Sequence, residues 1–179
     1  MKVKGIGALG IASTLLWVGN VPQGLGSLPL QAQCPSEVIE STARMSVEGV
    51  GLQVTDPGSL VVRLEDQSRL IVDLGGVDAS KLSRRSRDEA VAFIRSATLD
   101  KKVTLMVEVS PWIKVPRPQR MLAVVGYSET SVQDLALNLL QNGMVRYKEP
   151  KAYSISRYRD CTYRLAEESA RKQKRGIWR

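Results

Sequence analysis

Between Met45 and Tyr147 the apolar positions follow two periods, one of two residues and one near three and a half, and the switches between them outline the elements. Residues 46–55 alternate loosely. The turn-forming run Asp56-Pro57-Gly58-Ser59 follows, then two Val/Leu/Ile-rich runs, 60–64 and 70–77, joined by the polar link Glu65-Asp66-Gln67-Ser68. Pro57 has its φ preset for a turn and Gly58 accepts positive φ, so the pattern predicts a three-stranded antiparallel meander. Its third run passes the pair Gly75-Gly76 and delivers Asp78 to its carboxyl end.

The period changes at Ser86-Arg87-Asp88-Glu89, which has the spacing of a capping box, in which Ser86 and Glu89 satisfy each other's exposed backbone donors. Ala90, Phe93, Ile94 and Ala97 then share one face, predicting a helix over about 87–99 packed on the meander. Strands are predicted over 102–110 and 121–126. Between them Pro111, Pro116 and Pro118 forbid regular pairing and imply an exposed loop. A second helix starts at Ser131, with Asp134 near its N-terminus and Val132, Leu135, Ala136, Leu139 and Leu140 on its buried side. Asn142-Gly143 ends it. Residues 144–147 resume extended structure, and Pro150 interrupts a polar connection over 148–153. The last helix, over about 156–174, places Tyr158, Cys161, Thr162, Leu165 and Ser169 at helical spacing. This order of elements matches an α+β fold, a five-stranded OB-type β-barrel with three helices.

The N-terminus does not share these patterns. Lys2 and Lys4 precede an apolar run over 5–18 and a Gly/Pro-punctuated stretch, with no acidic residue before Ala32. The run is too short and glycine-rich for a comfortable membrane span and suits a secretory signal peptide cleaved after Ala32. The expected organisation is a signal peptide over 1–32, an extension over 33–45 and the barrel domain over 46–179, exported to a periplasm, a lumen or the exterior with no membrane span after cleavage. An uncleaved anchor tethering the domain to a membrane is the alternative. Export places the two cysteines, Cys34 and Cys161, in an oxidising compartment. They are expected to pair, closing nearly the whole domain into a loop and stabilising it by about 3–5 kcal/mol in the chain-entropy model. Two unrelated thiols are the alternative.

Composition narrows the chemistry. The chain has no histidine, which excludes Ser-His-Asp and Cys-His nucleophilic sites, histidine acid/base catalysis and most zinc or iron sites. Only a hard cation such as calcium or magnesium, on oxygen ligands, suits the remaining inventory. The formal charge is +8, and removing Lys2 and Lys4 with the leader leaves it near +6. That balance favours an acidic partner such as nucleic acid or an anionic surface, against the plainer reading of a solvated basic surface. In the proline-rich loop, Trp112, Lys114, Arg117 and Arg120 offer an aromatic and basic surface to a single-stranded nucleic acid, or Trp112 simply covers the barrel edge. From Arg157 to Arg179 there are eight basic residues and three acidic ones. Arg171 and Lys172 are the candidate nucleic-acid contacts there, with a solvated helix face as the alternative.

Three stretches carry a family likeness. Val72-Asp73-Leu74-Gly75-Gly76-Val77-Asp78-Ala79 resembles the region of the staphylococcal nuclease (thermonuclease) family that usually reads Val-Arg-Leu-x-Gly-Ile-Asp-Ala-Pro-Glu. Arg120-Met121-Leu122-Ala123 is similar to its Gly-Arg-x-Leu-Ala element. Leu165-Ala166-Glu167-Glu168-Ser169-Ala170-Arg171 through Gly176-Ile177-Trp178 resembles its C-terminal signature, Leu-x-x-Ala-Glu-x-x-Ala-Arg ending in Gly-x-Trp. The likeness runs from about Val47 to Arg179.

The resemblance implies a calcium-dependent phosphodiesterase in which two aspartates and a backbone oxygen hold the metal, a glutamate activates or positions water, and two arginines clamp the phosphate. A dianionic transition state needs such a cation and such guanidinium forks. Position by position, this chain departs from that set. Gly58 stands where the turn should supply the first metal aspartate, Asp73 replaces the first arginine, and Ser80-Lys81 replaces Pro-Glu. Only Asp78, the remaining metal aspartate, and Arg120, the second clamp, are retained. The expectation is therefore an exported thermonuclease-like domain with impaired catalysis and no cofactor, binding single-stranded nucleic acid or an envelope protein. The alternative is an active calcium- or magnesium-dependent nuclease working with Asp78 and Arg120.

Overall fold

A computed structural model describes residues 34, 44–108, 120–127, 131–149 and 156–179. In chain order its elements are β1 (Arg44–Asp56), β2 (Ser59–Leu64), β3 (Arg69–Leu74), β4 (Val77–Asp78), α1 (Arg84–Thr98), β5 (Lys102–Glu108), β6 (Arg120–Tyr127), β7 (Gln133–Asp134), α2 (Leu135–Gln141), β8 (Arg146–Tyr147), α3 (Arg157–Lys172) and a 3₁₀ turn, Gly176–Trp178. The first half of β1 pairs antiparallel with β5, from Arg44 opposite Glu108 to Val50 opposite Lys102. Its second half pairs with β2, with register shifts after Gly51 and Val54. Such bulges bend a strand, which lets β1 serve both sides of the barrel. β3 continues the meander, and its parallel pairing with β6, Ile71 opposite Arg120 through Leu74 opposite Ala123, closes five strands into a mixed barrel. The α+β barrel of OB type with three helices is thus the observed fold.

The alternation along β3 is the predicted one: Leu70, Val72 and Leu74 are buried, and the residues between them are not. They meet Leu60, Val62, Val103, Leu105 and Val125 from the other strands, with Ile94, Leu139, Leu140 and Tyr163 from the helices. Burying a side chain of this kind contributes roughly 1.5–3 kcal/mol each, so the barrel interior is where the fold is held.

Several local expectations change. The run over 70–77 is not one strand. It stops at Leu74, turns at Gly75-Gly76, and resumes as β4 paired with β8, Asp78 opposite Arg146. Gly76 has φ +77°, and a Cβ there would lie 2.6 Å from the Tyr163 ring, so both its backbone and its neighbour require glycine. Helix α1 begins at Arg84 rather than Arg87. Ser83 is one turn ahead of the expected cap, and its Oγ accepts a hydrogen bond from the Ser86 amide at 3.2 Å. Ser86 therefore lies inside the helix, and Glu89 accepts from Arg85 Nε at 3.0 Å instead of closing a box. Ala90, Ile94 and Ala97 are buried as expected, while Phe93 is only partly so.

The second helix starts at Leu135, capped by the Asp134 carboxylate, because Gln133 and Asp134 are held as β7 against β6. Val132 consequently precedes the helix and is 65 % exposed rather than buried. On α3 the buried set is Thr162, Tyr163, Ala166 and Ala170. The apolar face is thus turned one residue from the expected Cys161 and Leu165, since Tyr163 fills the space under Gly76. Cys34 and Cys161 are joined in a disulfide, Cα to Cα 5.7 Å, as expected. No helix among the described residues is long and apolar enough to cross a membrane. Residues 1–33, where the leader was expected, lie outside the described residues.

Candidate functional site

Strand pairing alone brings the family-like positions together. Ser59 sits directly opposite Asp73 on the antiparallel β2–β3 ladder. Arg120 opens β6 beside Ile71 on the closing parallel ladder, two residues from Asp73 along β3. Because β3 alternates, Leu74 and Val72 point into the core and Asp73 does not, so its carboxylate meets Arg120 at the barrel surface.

Arg120 grips that carboxylate with two prongs: Nε donates to Oδ2 at 2.7 Å and Nη2 to Oδ1 at 2.8 Å. Ser59 Oγ donates a third hydrogen bond to Oδ1 at 2.6 Å. Fork-to-carboxylate pairing of this kind is stronger and more directional than a single contact. Partial burial pushes the Asp73 carboxyl up, but the hydrogen bonds from Arg120 and Ser59 and the charge of Arg120 outweigh it and hold the group below its ordinary value of 3.8. The Arg120 guanidinium is in turn held more firmly protonated by Asp73.

The neighbouring carboxylates are committed locally. Asp56 Oδ1 accepts from the Gly58 amide at 2.7 Å, closing the β1–β2 turn on itself, and the Gly58 carbonyl accepts from the Leu74 amide at 2.8 Å. Asp78 Oδ1 accepts from the Ser80 amide at 2.9 Å. Hydrogen bonding from Ser80, side chain first and then backbone, lowers the Asp78 carboxyl, with smaller help from the charges of Lys148 and Lys81. Among the described residues no three His, Cys, Asp or Glu side chains come together in a group that could hold a metal ion. Asp78 and Arg120, expected side by side in one site, are placed on β4 and β6, and no hydrogen bond or ion pair joins them.

The basic candidates separate into two sets. Trp112, Lys114 and Arg117 lie outside the described residues. Arg171 stacks over the Trp178 ring, 4.3 Å from its centroid, and pairs with Glu167 at 3.3 Å. Arg146 approaches the same ring at 4.9 Å. This arrangement gives the Gly-x-Trp ending a structural task, since a cation over an indole face is attracted by its quadrupole. Lys172 is the more exposed of the pair and lies 3.7 Å from Glu168.

Sequence reasoning did not identify Ser59 as the third partner of Asp73. Its position two residues after Pro57 spoke only of a turn. It also missed the network under Gly76: Asp134 Oδ2 accepts from Tyr163 Oη at 2.7 Å and from Arg159 Nη1 at 2.8 Å, while its Oδ1 caps α2. Glu167, besides pairing with Arg171, accepts from the Tyr147 amide of β8 at 3.2 Å.

A closed five-stranded mixed barrel and three helices, with a carboxylate–guanidinium cluster at the barrel's closing ladder, define a helix-decorated OB-type domain. A family model described as staphylococcal nuclease homologue matches residues 71–179, more than half of the chain. The chain belongs to that nuclease-related family. The match begins inside β3, so β1, β2 and the Asp56–Ser59 turn complete the barrel outside the matched span. No curated protein matches the chain.

Proposed function

We propose that this is an exported, catalytically silent member of its family that binds single-stranded nucleic acid through its basic surface. The observation that carries the first half is the Asp73–Arg120 pair. A phosphate clamp needs guanidinium donors open to the ligand. Here the fork of Arg120 is already filled by a carboxylate of this same chain, and the partner clamp position is that carboxylate.

The donor set does not fit calcium either. Calcium takes six to eight oxygen ligands, and its affinity follows the number and charge of carboxylates. Asp73 is paired with Arg120 and Ser59, Gly58 supplies no carboxylate, and among the described residues no three acidic side chains gather in a group that could hold the ion. Binding is supported by the OB-type barrel, a fold that presents a face to oligonucleotides, and by a formal charge that stays near +6 when Lys2 and Lys4 are removed with the leader. Export is supported by the disulfide, since such bonds persist in oxidising compartments.

Affinity for a single-stranded oligonucleotide, measured across a salt series, tests the binding half. Phosphate-dominated binding weakens steeply with salt, so affinity for a single strand held by roughly six to ten phosphate contacts should fall by about 10²–10⁴ between roughly 50 and 200 mM. Absence of binding at low salt would direct the reading to an envelope protein as partner.

A further inference from the structure

A cavity of about 510 Å³ opens between the first turns of α1, the end of α2 and the C-terminal 3₁₀ turn, on residues none of which belongs to the Asp73 cluster. Its shape comes from two glycine backbones. Gly143 and Gly176 have φ of +64° and +52°, and the Ile177 amide donates to the Gly143 carbonyl at 2.8 Å. The C-terminal turn is thereby hooked onto the end of α2, and the contacts of the Trp178 ring with Arg146 and Arg171 help to hold it there. A rigid wall results, facing α1.

Three arginines, Arg85, Arg175 and Arg179, are among the residues lining the cavity, with Glu89 as the acidic side chain and the main-chain carboxylate of Arg179 beside them. Arg85 uses its Nε on Glu89 at 3.0 Å, and Arg175 uses one Nη1 on the Gln141 carbonyl at 3.2 Å. Each retains fork donors, because a guanidinium carries five N–H groups. Arg85 is also the second residue of a fifteen-residue helix with no acidic residue in its first turn, so the positive end of that helix adds to the same field. Met144 and Ile177 supply an apolar side to the cavity. Its volume falls in the range of roughly 300–1,000 Å³ typical of small-molecule sites.

We propose that this cavity binds a phosphate monoester carried on a small, partly apolar body, a ligand of mononucleotide size. The arginines receive the phosphate and the Met144–Ile177 side receives the body. This site is separate from the Asp73 cluster and stands whether or not that cluster is silent.

Isothermal titration of the intact, disulfide-bonded protein with a nucleoside 5′-monophosphate, and with the same nucleoside lacking phosphate, tests it. One equivalent of the monophosphate should bind with Kd of about 0.1–1 mM, with no comparable binding of the nucleoside. Arg85→Gln and Arg179→Gln, both surface changes checked for folding by circular dichroism, should each weaken binding by roughly five- to tenfold, the value of a lost charge-assisted contact. Arg120→Gln should leave it unchanged. Absence of monophosphate binding, equal binding of the nucleoside, or affinity that survives the Arg85→Gln/Arg179→Gln double variant overturns the proposal. So does loss of binding in Arg120→Gln, which would place the ligand at the other cluster.

Discussion

Asp73 is the residue on which the functional reading turns, and its charge makes a testable statement about pH. Its folded carboxyl titrates below the ordinary 3.8. A group with a depressed folded value stabilises the fold above its unfolded pKa, and that stabilisation disappears as pH falls through the folded value. The protein should therefore lose stability on acidification from about pH 5 toward pH 2, and Asp73→Asn should show a shallower loss over the same window. Urea denaturation at several pH values checks this, and identical acid limbs in the two proteins would contradict it. The inversion at position 73 was legible in the sequence, because the neighbouring Val72, Leu74 and Asp78 fix the alignment. Its mate was not. Arg120 lies 47 residues away on a strand whose parallel register with β3 is set by barrel closure, and no local pattern encodes that register.

At the scale of elements, one buried carboxylate ties α2, α3 and the barrel together. Asp134 caps α2 and accepts from both Arg159 and Tyr163, with Asp134 and Arg159 side chains only 13 % and 14 % exposed. Removing the carboxylate takes the cap from α2 and a charge-assisted acceptor from Arg159 and Tyr163. Asp134→Ala should cost about 2–4 kcal/mol in urea denaturation, from the lost cap and two lost hydrogen bonds, whereas Tyr163→Phe, which removes one hydrogen bond and keeps the ring under Gly76, should cost about 1–2 kcal/mol. A cost below ~1 kcal/mol for the alanine variant would show that the network is not structural in the way described. The barrel strands were readable here because alternation survives burial on one face, as Leu70, Val72 and Leu74 show. The helix starts were less so. Ser83 and Ser86 both offer an N-cap side chain three residues apart, and only packing of α1 on β1 decides between them. The extended run over 144–147 was legible, but the pairing of β8 with β4 was not, since two-residue strands have no period.

For the whole molecule, the Cys34–Cys161 bond closes 127 residues of separation and so attaches the segment ahead of β1 to α3. A loop of that length restrains the unfolded chain by about 5 kcal/mol in the chain-entropy model. Reduction, or Cys161→Ser, should lower thermal stability by several degrees or more. An unchanged melting temperature under full reduction would mean that the bond does not constrain the folded domain. The bond was foreseeable from cysteine number and the leader-like N-terminus, whereas its burial beside Thr162 depends on the one-residue turn of α3 that sequence periodicity did not reveal.

The central claim is that Asp73 occupies the clamp and silences the site. The direct measurement is digestion of plasmid and single-stranded DNA by the purified protein with calcium, with magnesium and with EDTA. The account predicts no metal-dependent cleavage in any of the three. Calcium- or magnesium-dependent cleavage that EDTA stops and Arg120→Ala abolishes would contradict it.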